Sequence, residues 1–139
     1  MVIYDVPISL AAVIVAAIVY FILGAIWYSP ALFGHRAVIH REGEPDLVVK
    51  ETHPIGSYIG EFILDLIMAF VLTVLITLSD AETYWEGMTI ALWAWVGFIA
   101  TTHFSAVLWG RKTLRSFFIH AIFMLVGLLA MGAVIMYFL

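Results

Sequence analysis

Four ionisable side chains lie inside long apolar stretches of this chain. They are Glu61, Asp65, His103 and His120. Two carboxylates and two imidazoles form a ligand set that suits zinc, iron or manganese, and a carboxylate in apolar surroundings can also take up a proton or a cation. The four residues come from three separate stretches, so a shared site requires those stretches to pack together. We therefore treat all four as candidates for ligand or ion binding and as candidate ligands of an unspecified metal.

Each candidate also has a purely structural explanation. His103 and His120 can hold helices together by hydrogen-bonding to a carboxylate or a threonine hydroxyl, and Glu61 is shallow enough to reach the lipid headgroups. Asp65 lies deeper and is the hardest to explain in this way. It shares a helix face with Glu61 at the i, i+4 spacing, and this face continues as a small and polar stripe, which favours contact with protein over lipid. The stripe consists of Ala69, Thr73 and Thr77.

Four apolar stretches position these residues. About 20 apolar residues cross the hydrocarbon of a bilayer, and residues 6–28, 57–78, 87–109 and 116–138 each have that character. At 65% hydrophobic and 12% charged residues, the chain has more apolar surface than a water-soluble globule of its size can bury. We predict an all-α, polytopic membrane protein that contacts the lipid bilayer. Its single domain, residues 1–139, is a bundle of four transmembrane helices.

The six basic residues lie in two connections between the spans, residues 31–56 and 110–115. Lys and Arg in short connections are retained in the cytoplasm, so we expect both connections to be cytoplasmic and both termini to lie outside. The basic residues are Arg36, Arg41, Lys50, Arg111, Lys112 and Arg115. The opposite side carries only acidic charge, at Asp5, Asp80, Glu82 and Glu86.

An internal repeat is indicated by residues 28–36, which align without gaps with residues 104–112. Both segments end an odd-numbered span, and both contain a serine, a leucine and a glycine that follows an aromatic residue. We interpret this match as a parallel repeat about an axis along the membrane normal. The bundle would then consist of two parallel-related helical hairpins. Asp65 would be equivalent to His120, and Trp27 to His103.

The sequence contains none of the recognised catalytic motifs. It has no H-E-x-x-H, no G-x-S-x-G and no glycine-rich phosphate loop, and its lack of cysteine excludes thiolate sites. The net charge of −4 offers no basic patch for nucleic acid. We therefore assign no catalytic residue, and an intramembrane enzyme that uses the carboxylates and imidazoles for acid–base chemistry ranks third among the possible functions. A divalent metal is compatible with the polar residues, although no cofactor is demanded by them.

Three segments resemble a known family. Residues 24–34 read GAIWYSPALFG, residues 95–102 read WVGFIATT and residues 117–121 read FFIHA. They resemble the small four-span prokaryotic membrane proteins grouped as a domain of unknown function, number seventeen sixty-one. The resemblance implies a multi-pass protein of the prokaryotic cytoplasmic membrane but brings no activity. In the first segment Trp27, Tyr28, Ser29 and Pro30 form a motif that is typical of the membrane interface.

Two functions of different classes are compatible with these features. The first is binding or transport of a small solute, a cation or a proton through the polar cluster in the cytoplasmic half, with Asp65 as the site. The second is a non-catalytic scaffold or accessory subunit, with an unknown protein partner, whose polar cluster only fixes helix packing. A conducted ion also needs a polar route through the outer half, where few polar residues lie, so binding is favoured over a continuous pore. Because four short helices enclose little space, we also expect a homo-oligomer.

Overall fold

The computed structural model describes residues 5–29, 32, 36–39, 42–43, 47–50 and 54–139. Within these ranges, four helices are long and apolar enough to cross a membrane. They are α1 (Leu10–Trp27), α2 (Ile55–Leu78), a third helix (Tyr84–Leu108) and α5 (Leu114–Phe138). The predicted all-α class is confirmed, and the chain has the architecture of a multi-pass membrane protein.

Two smaller features interrupt this pattern. The third helix is continuous but changes its winding, from α3 (Tyr84–Ala94) through a π-helical segment (Trp95–Ala100) to α4 (Thr101–Leu108). The connection between α1 and α2 contains a short antiparallel hairpin of β1 (Arg36–Ile39) and β2 (Leu47–Lys50), in which Arg36 pairs with Lys50.

Polar residues at the helix ends explain where the helices begin. The Ser9 hydroxyl accepts from the backbone N–H of Ala12 (3.2 Å) at the start of α1. Thr83 and Glu86 form a reciprocal capping box at the start of α3. The Thr83 hydroxyl accepts from the backbone N–H of Glu86, and the Glu86 carboxylate accepts from the backbone N–H of Thr83. These contacts satisfy amide groups that the first turn of a helix leaves unpaired.

The two central helices of the bundle are α1 and α5. They pack against each other along their lengths, α2 flanks α1, and the third helix flanks α5. Small side chains line the buried face of α1, which allows its neighbours to approach closely. The buried residues of α1 are Ala12, Val13, Ala16, Ala17 and Tyr20. On α2, Asp65 is buried, and so are Ala69 and Thr73 of the predicted small and polar stripe.

Glycines of α5 create the space that its neighbours fill. A Cβ atom added at Gly127 would lie 2.4 Å from Cε2 of Tyr20 on α1. A Cβ atom added at Gly132 would lie 3.1 Å from the carbonyl oxygen of Gly87 on α3. Both distances are too short for an unshifted side chain, so α5 meets α1 and α3 at positions where only glycine fits the present packing.

The packing does not have the two-fold symmetry expected from the repeat. The repeat predicts a two-fold rotation that places α1 on the third helix and α2 on α5. The same rotation would place the α1–α5 contact on a contact between the third helix and α2. The first of these contacts is extensive, whereas α2 and α3 meet at few positions. The four helices are arranged in the spatial order α2, α1, α5, third helix. The repeat therefore stays a prediction from the sequence, without symmetric packing to support it.

The first prediction tests the contact between Gly127 and Tyr20. Gly127→Ala should lower the free energy of unfolding by about 1 to 3 kcal/mol, because the added methyl group overpacks a buried ring. Thermal or denaturant unfolding of the protein in detergent measures this change.

Gly60→Ala is the matched control, since a Cβ at Gly60 meets nothing within 4 Å. That variant should keep the original stability or gain up to about 1 kcal/mol from the higher helix propensity of alanine. Equal effects of the two substitutions would contradict the packing described for Gly127.

Candidate functional site

A pair of carboxyl groups lies on one face of α2. Asp65 is only 1% exposed, and its Oδ2 has no hydrogen-bond partner within the described parts of the chain. Glu61, one turn earlier, is exposed and lies within side-chain hydrogen-bonding distance of Asp65. We call Glu61 and Asp65 the carboxyl pair. Its two members are connected to each other but differ sharply in their access to solvent.

Two tyrosines, Tyr20 of α1 and Tyr28 directly after it, lie near the carboxyl pair. Tyr20 is 4% exposed and interacts electrostatically with both Asp65 and Glu61. Tyr28 is half-buried and interacts with Glu61. Both tyrosine rings also contact Phe123 of α5, with ring centroids 5.1 Å and 5.2 Å away. The carboxyl pair thus borders the packed junction of α1, α2 and α5.

A second polar cluster holds α5 from two sides. The indole N–H of Trp27 donates to the carbonyl oxygen of Ile119 (3.2 Å). From the third helix, the indole N–H of Trp95 donates to the carbonyl oxygen of Ala121 (2.8 Å). Residues two positions apart lie about 200° apart around a helix, so the two indoles hold opposite sides of α5.

The residue between these two carbonyl positions completes the cluster. Nδ1 of His120 shares a hydrogen bond with the hydroxyl oxygen of Tyr28 (2.7 Å), and the two ring centroids lie 5.3 Å apart with the rings tilted by 32°. We call this cluster the tryptophan brace. It consists of Trp27, Tyr28, Trp95, Ile119, His120 and Ala121. Tyr28 belongs to the brace and also borders the carboxyl pair, so the two clusters are neighbours.

His103 lies apart from these clusters on the third helix. Its Nδ1 donates to the carbonyl oxygen of Ile99, four residues earlier in the same helix (2.9 Å). Thr101 and Thr102 likewise donate to Gly97 O (2.7 Å) and Phe98 O (2.5 Å). These carbonyls belong to the π-helical segment, whose wider turns alter the regular α-helical hydrogen bonding. In the described conformation the Nδ1 hydrogen bond of His103 therefore stays within its own helix.

The four sequence candidates do not form a metal centre. Among the residues described, no three His, Asp or Glu side chains are grouped so that they could hold a metal ion. Glu61 and Asp65 are together, His120 contacts Tyr28, and His103 bonds within its own helix. Within the described ranges these residues are therefore not grouped as a three-residue ligand set for the divalent metal considered from the sequence.

The described residues of the interfacial motif make different contacts. Trp27 and Tyr28 both contact α5, and the backbone N–H of Ser29 closes the end of α1 by donating to Ile26 O (3.2 Å). Pro30 lies outside the described residues. Trp27 and Tyr28 therefore contribute to helix packing, in addition to the position at the membrane interface that the sequence indicated.

Sequence reasoning missed Tyr20 and Trp95 as members of the site, and it assigned Tyr28 only to the motif at the membrane interface. Tyr20 is a large side chain in a row of small residues on α1. This contrast indicates that its ring fills a space on a neighbouring helix. Trp95 begins the second resemblance segment, but its partner carbonyl on α5 follows only from the tertiary structure. The three segments that carry the resemblance meet in the tryptophan brace.

The opposite end of the bundle has an open depression of about 500 Å³ between α2 and α3. Its acidic residues include Asp80, Glu82 and Glu86. Glu86 is already used by the helix cap, where its Oε2 accepts from the backbone N–H groups of Glu82 (2.7 Å) and Thr83 (3.1 Å). The turn between α2 and α3 and the capping box of α3 account for the shape and the acidic residues of this depression.

The second prediction tests the tryptophan brace. Trp95→Phe should lower the free energy of unfolding by about 0.6 kcal/mol and at most about 2 kcal/mol, because it removes one interhelical hydrogen bond inside the membrane. Trp93→Phe, at a tryptophan that is 68% exposed two residues earlier, should leave stability unchanged within about 0.5 kcal/mol. Unfolding in detergent, followed by circular dichroism, compares the variants. Equal stability of both variants would show that the bond to Ala121 contributes nothing measurable.

Comparison with known proteins gives the family. The family described as "Protein of unknown function (DUF1761)" matches residues 11–136. No curated protein matches the chain, and no solved structure does. The matched region extends from α1 to α5 and includes the carboxyl pair and the tryptophan brace. The chain therefore belongs to the DUF1761 family of proteins of unknown function.

Proposed function

We propose that the protein binds a proton or a small cation at Asp65. The observation that carries this proposal is the burial of a carboxyl group, 1% exposed, with one oxygen that has no hydrogen-bond partner in the described parts of the chain. An ionised carboxylate in such surroundings costs several kcal/mol unless its charge is balanced. The neighbouring charged group is a second carboxyl, Glu61, which increases this cost. A bound proton or cation would remove it.

The environment of Asp65 favours exchange with one side of the membrane. Towards the start of α2, Glu61 is exposed and gives Asp65 a polar neighbour one turn away. Towards the end of α2, Leu72, Thr73 and Ile76 are buried in the core, and the Thr73 hydroxyl is occupied by Ala69 O (2.7 Å). Binding from one side is therefore better supported than conduction, and transport would require a different arrangement of these helices.

A scaffold or accessory role is the second candidate. Its support is the tryptophan brace, in which polar groups of α1 and the third helix are used to hold α5. Interhelical hydrogen bonds of this kind fix helix register without any ligand. In this alternative the carboxyl pair serves packing only, and the protein acts through a partner that recognises the assembled bundle.

The third prediction separates these two functions. Asp65→Asn keeps the shape of the side chain but removes its charge and its titration. It should abolish uptake of one proton or one cation per chain while the bundle remains folded. Calorimetry with Na⁺, Mg²⁺, Mn²⁺ and Zn²⁺, together with potentiometric titration, measures the uptake. Asp80→Asn is the matched control, since Asp80 is exposed in the turn after α2; it should retain wild-type cation binding and lose only the proton of its own exposed carboxyl.

The scaffold alternative gives the opposite result. Wild-type protein would then show no uptake that depends on Asp65. Asp65→Asn would only change the free energy of unfolding, by about 0.6 kcal/mol and at most about 2 kcal/mol. That outcome would contradict the binding proposal.

We also propose that the protein lies in the prokaryotic cytoplasmic membrane with both termini outside. Support comes from the sequence positions of the six basic residues, which lie between the first and second spans or between the third and fourth; Arg111 and Lys112 precede α5, and Arg115 lies in its first turn. A homo-oligomer is supported by the third helix, which buries the smallest share of its surface within one chain. Purified protein that remains a 15.5 kDa monomer in native mass spectrometry would contradict the oligomer.

The fourth prediction tests the orientation. A single cysteine introduced by Glu82→Cys should react with a membrane-impermeant maleimide in intact cells, whereas one introduced by Glu42→Cys should react only after the membrane is opened. The chain has no cysteine of its own to interfere. Reversed labelling would overturn the proposed orientation.

A further inference from the structure

We propose that the occupant of Asp65 is a proton and that Glu61 transfers it between Asp65 and the solvent. This inference rests on the proposed function, which leaves open the choice between a proton and a cation. It adds both the chemical identity of the ligand and the residue through which the ligand enters.

The contact between the two carboxyl groups favours a proton. Two ionised carboxylates are acceptors only and cannot hydrogen-bond to each other. Glu61 and Asp65 lie within side-chain hydrogen-bonding distance on one helix face, so the contact becomes favourable when one of them is protonated. One shared proton supplies the missing donor and also removes the repulsion between like charges.

The surroundings of Asp65 offer few ligands to a metal cation. Hard cations such as Mg²⁺ and Ca²⁺ take about six or more oxygen ligands. The titratable groups facing Asp65 are Glu61 on its own helix and Tyr20 on α1, with Tyr28 and His120 beyond them. Nowhere in the described ranges are three His, Asp or Glu residues grouped for a metal. A proton needs only the one oxygen that Asp65 leaves unpartnered.

The exposure of the two residues defines the route. Asp65 is 1% exposed, whereas Glu61, about 6 Å earlier along the helix axis, is exposed. Protonated Glu61 donates to the Asp65 carboxylate: the O–H bond of Glu61 breaks as an O–H bond forms on Asp65. The Glu61 carboxylate is then reprotonated by a hydronium ion of the solvent, which leaves a water molecule. Release follows the same steps in reverse.

The experiment measures exchange of the proton on Asp65 in the full chain, reconstituted in lipid nanodiscs. The probe is the infrared C=O band of a protonated carboxyl, assigned to Asp65 by its loss in Asp65→Asn. Transfer to D₂O replaces the proton and shifts the band, so the exchange rate is read directly. Glu61→Gln should slow this exchange by about 100-fold, the lower end of what a positioned proton donor contributes, while the Asp65 band remains.

Two variants control for indirect effects. Glu61→Asp keeps a titrating group and should restore most of the rate. Glu82→Gln removes an exposed carboxyl from the far end of the bundle and should leave the rate unchanged. A Glu61→Gln variant that exchanges as fast as wild type, or that is not rescued by Glu61→Asp, would overturn the relay role of Glu61.

Failure of this inference can be distinguished from failure of the proposed function. If no band of protonated Asp65 exists at any pH at which the bundle is folded, and calorimetry shows cation binding that Asp65→Asn removes, the occupant is a cation and the inference is overturned while the proposed function stands. If neither a protonated band nor cation binding depends on Asp65, both are overturned.

Discussion

The close contact between α1 and α5 is the constraint on which the rest of the bundle depends. Lipid tails are as apolar as leucine side chains, so association of helices inside a membrane relies on close packing and on interhelical hydrogen bonds more than on the hydrophobic effect. The Tyr20 ring fills the space left by Gly127, and Phe123 contacts the rings of Tyr20 and Tyr28. This contact sets the separation and register of the two central helices.

Both polar clusters follow from that register. With α1 and α5 held together, Tyr28 reaches His120 and Trp27 reaches the Ile119 carbonyl. Trp95 then holds the other side of α5 from the third helix. Tyr20 and Tyr28 are placed beside the carboxyl pair by the same contact. The same packing buries Asp65 against protein and keeps its carboxyl group away from lipid.

The third helix differs from the other three in how it is stabilised. It buries little of its surface within one chain, and its π-helical segment exposes Gly97 and Phe98. The side chains of Thr101, Thr102 and His103 return to carbonyls of this segment. Polar backbone groups in a bilayer must be satisfied inside the protein, and these local bonds meet that requirement without help from neighbouring helices.

The sequence by itself determined the number of membrane-crossing helices, because the bilayer selects length and apolarity, which are local properties of each segment. It also singled out Asp65, since an ionisable residue inside an apolar stretch is conspicuous before any folding is known. Only the tertiary structure decided which residues accompany Asp65. The sequence grouped His103 with it, whereas the fold leaves His103 on its own helix and brings Tyr20 to the carboxyl pair. Helix neighbours depend on matches of volume between residues far apart in the chain, such as Tyr20 and Gly127, and no local pattern contains that information.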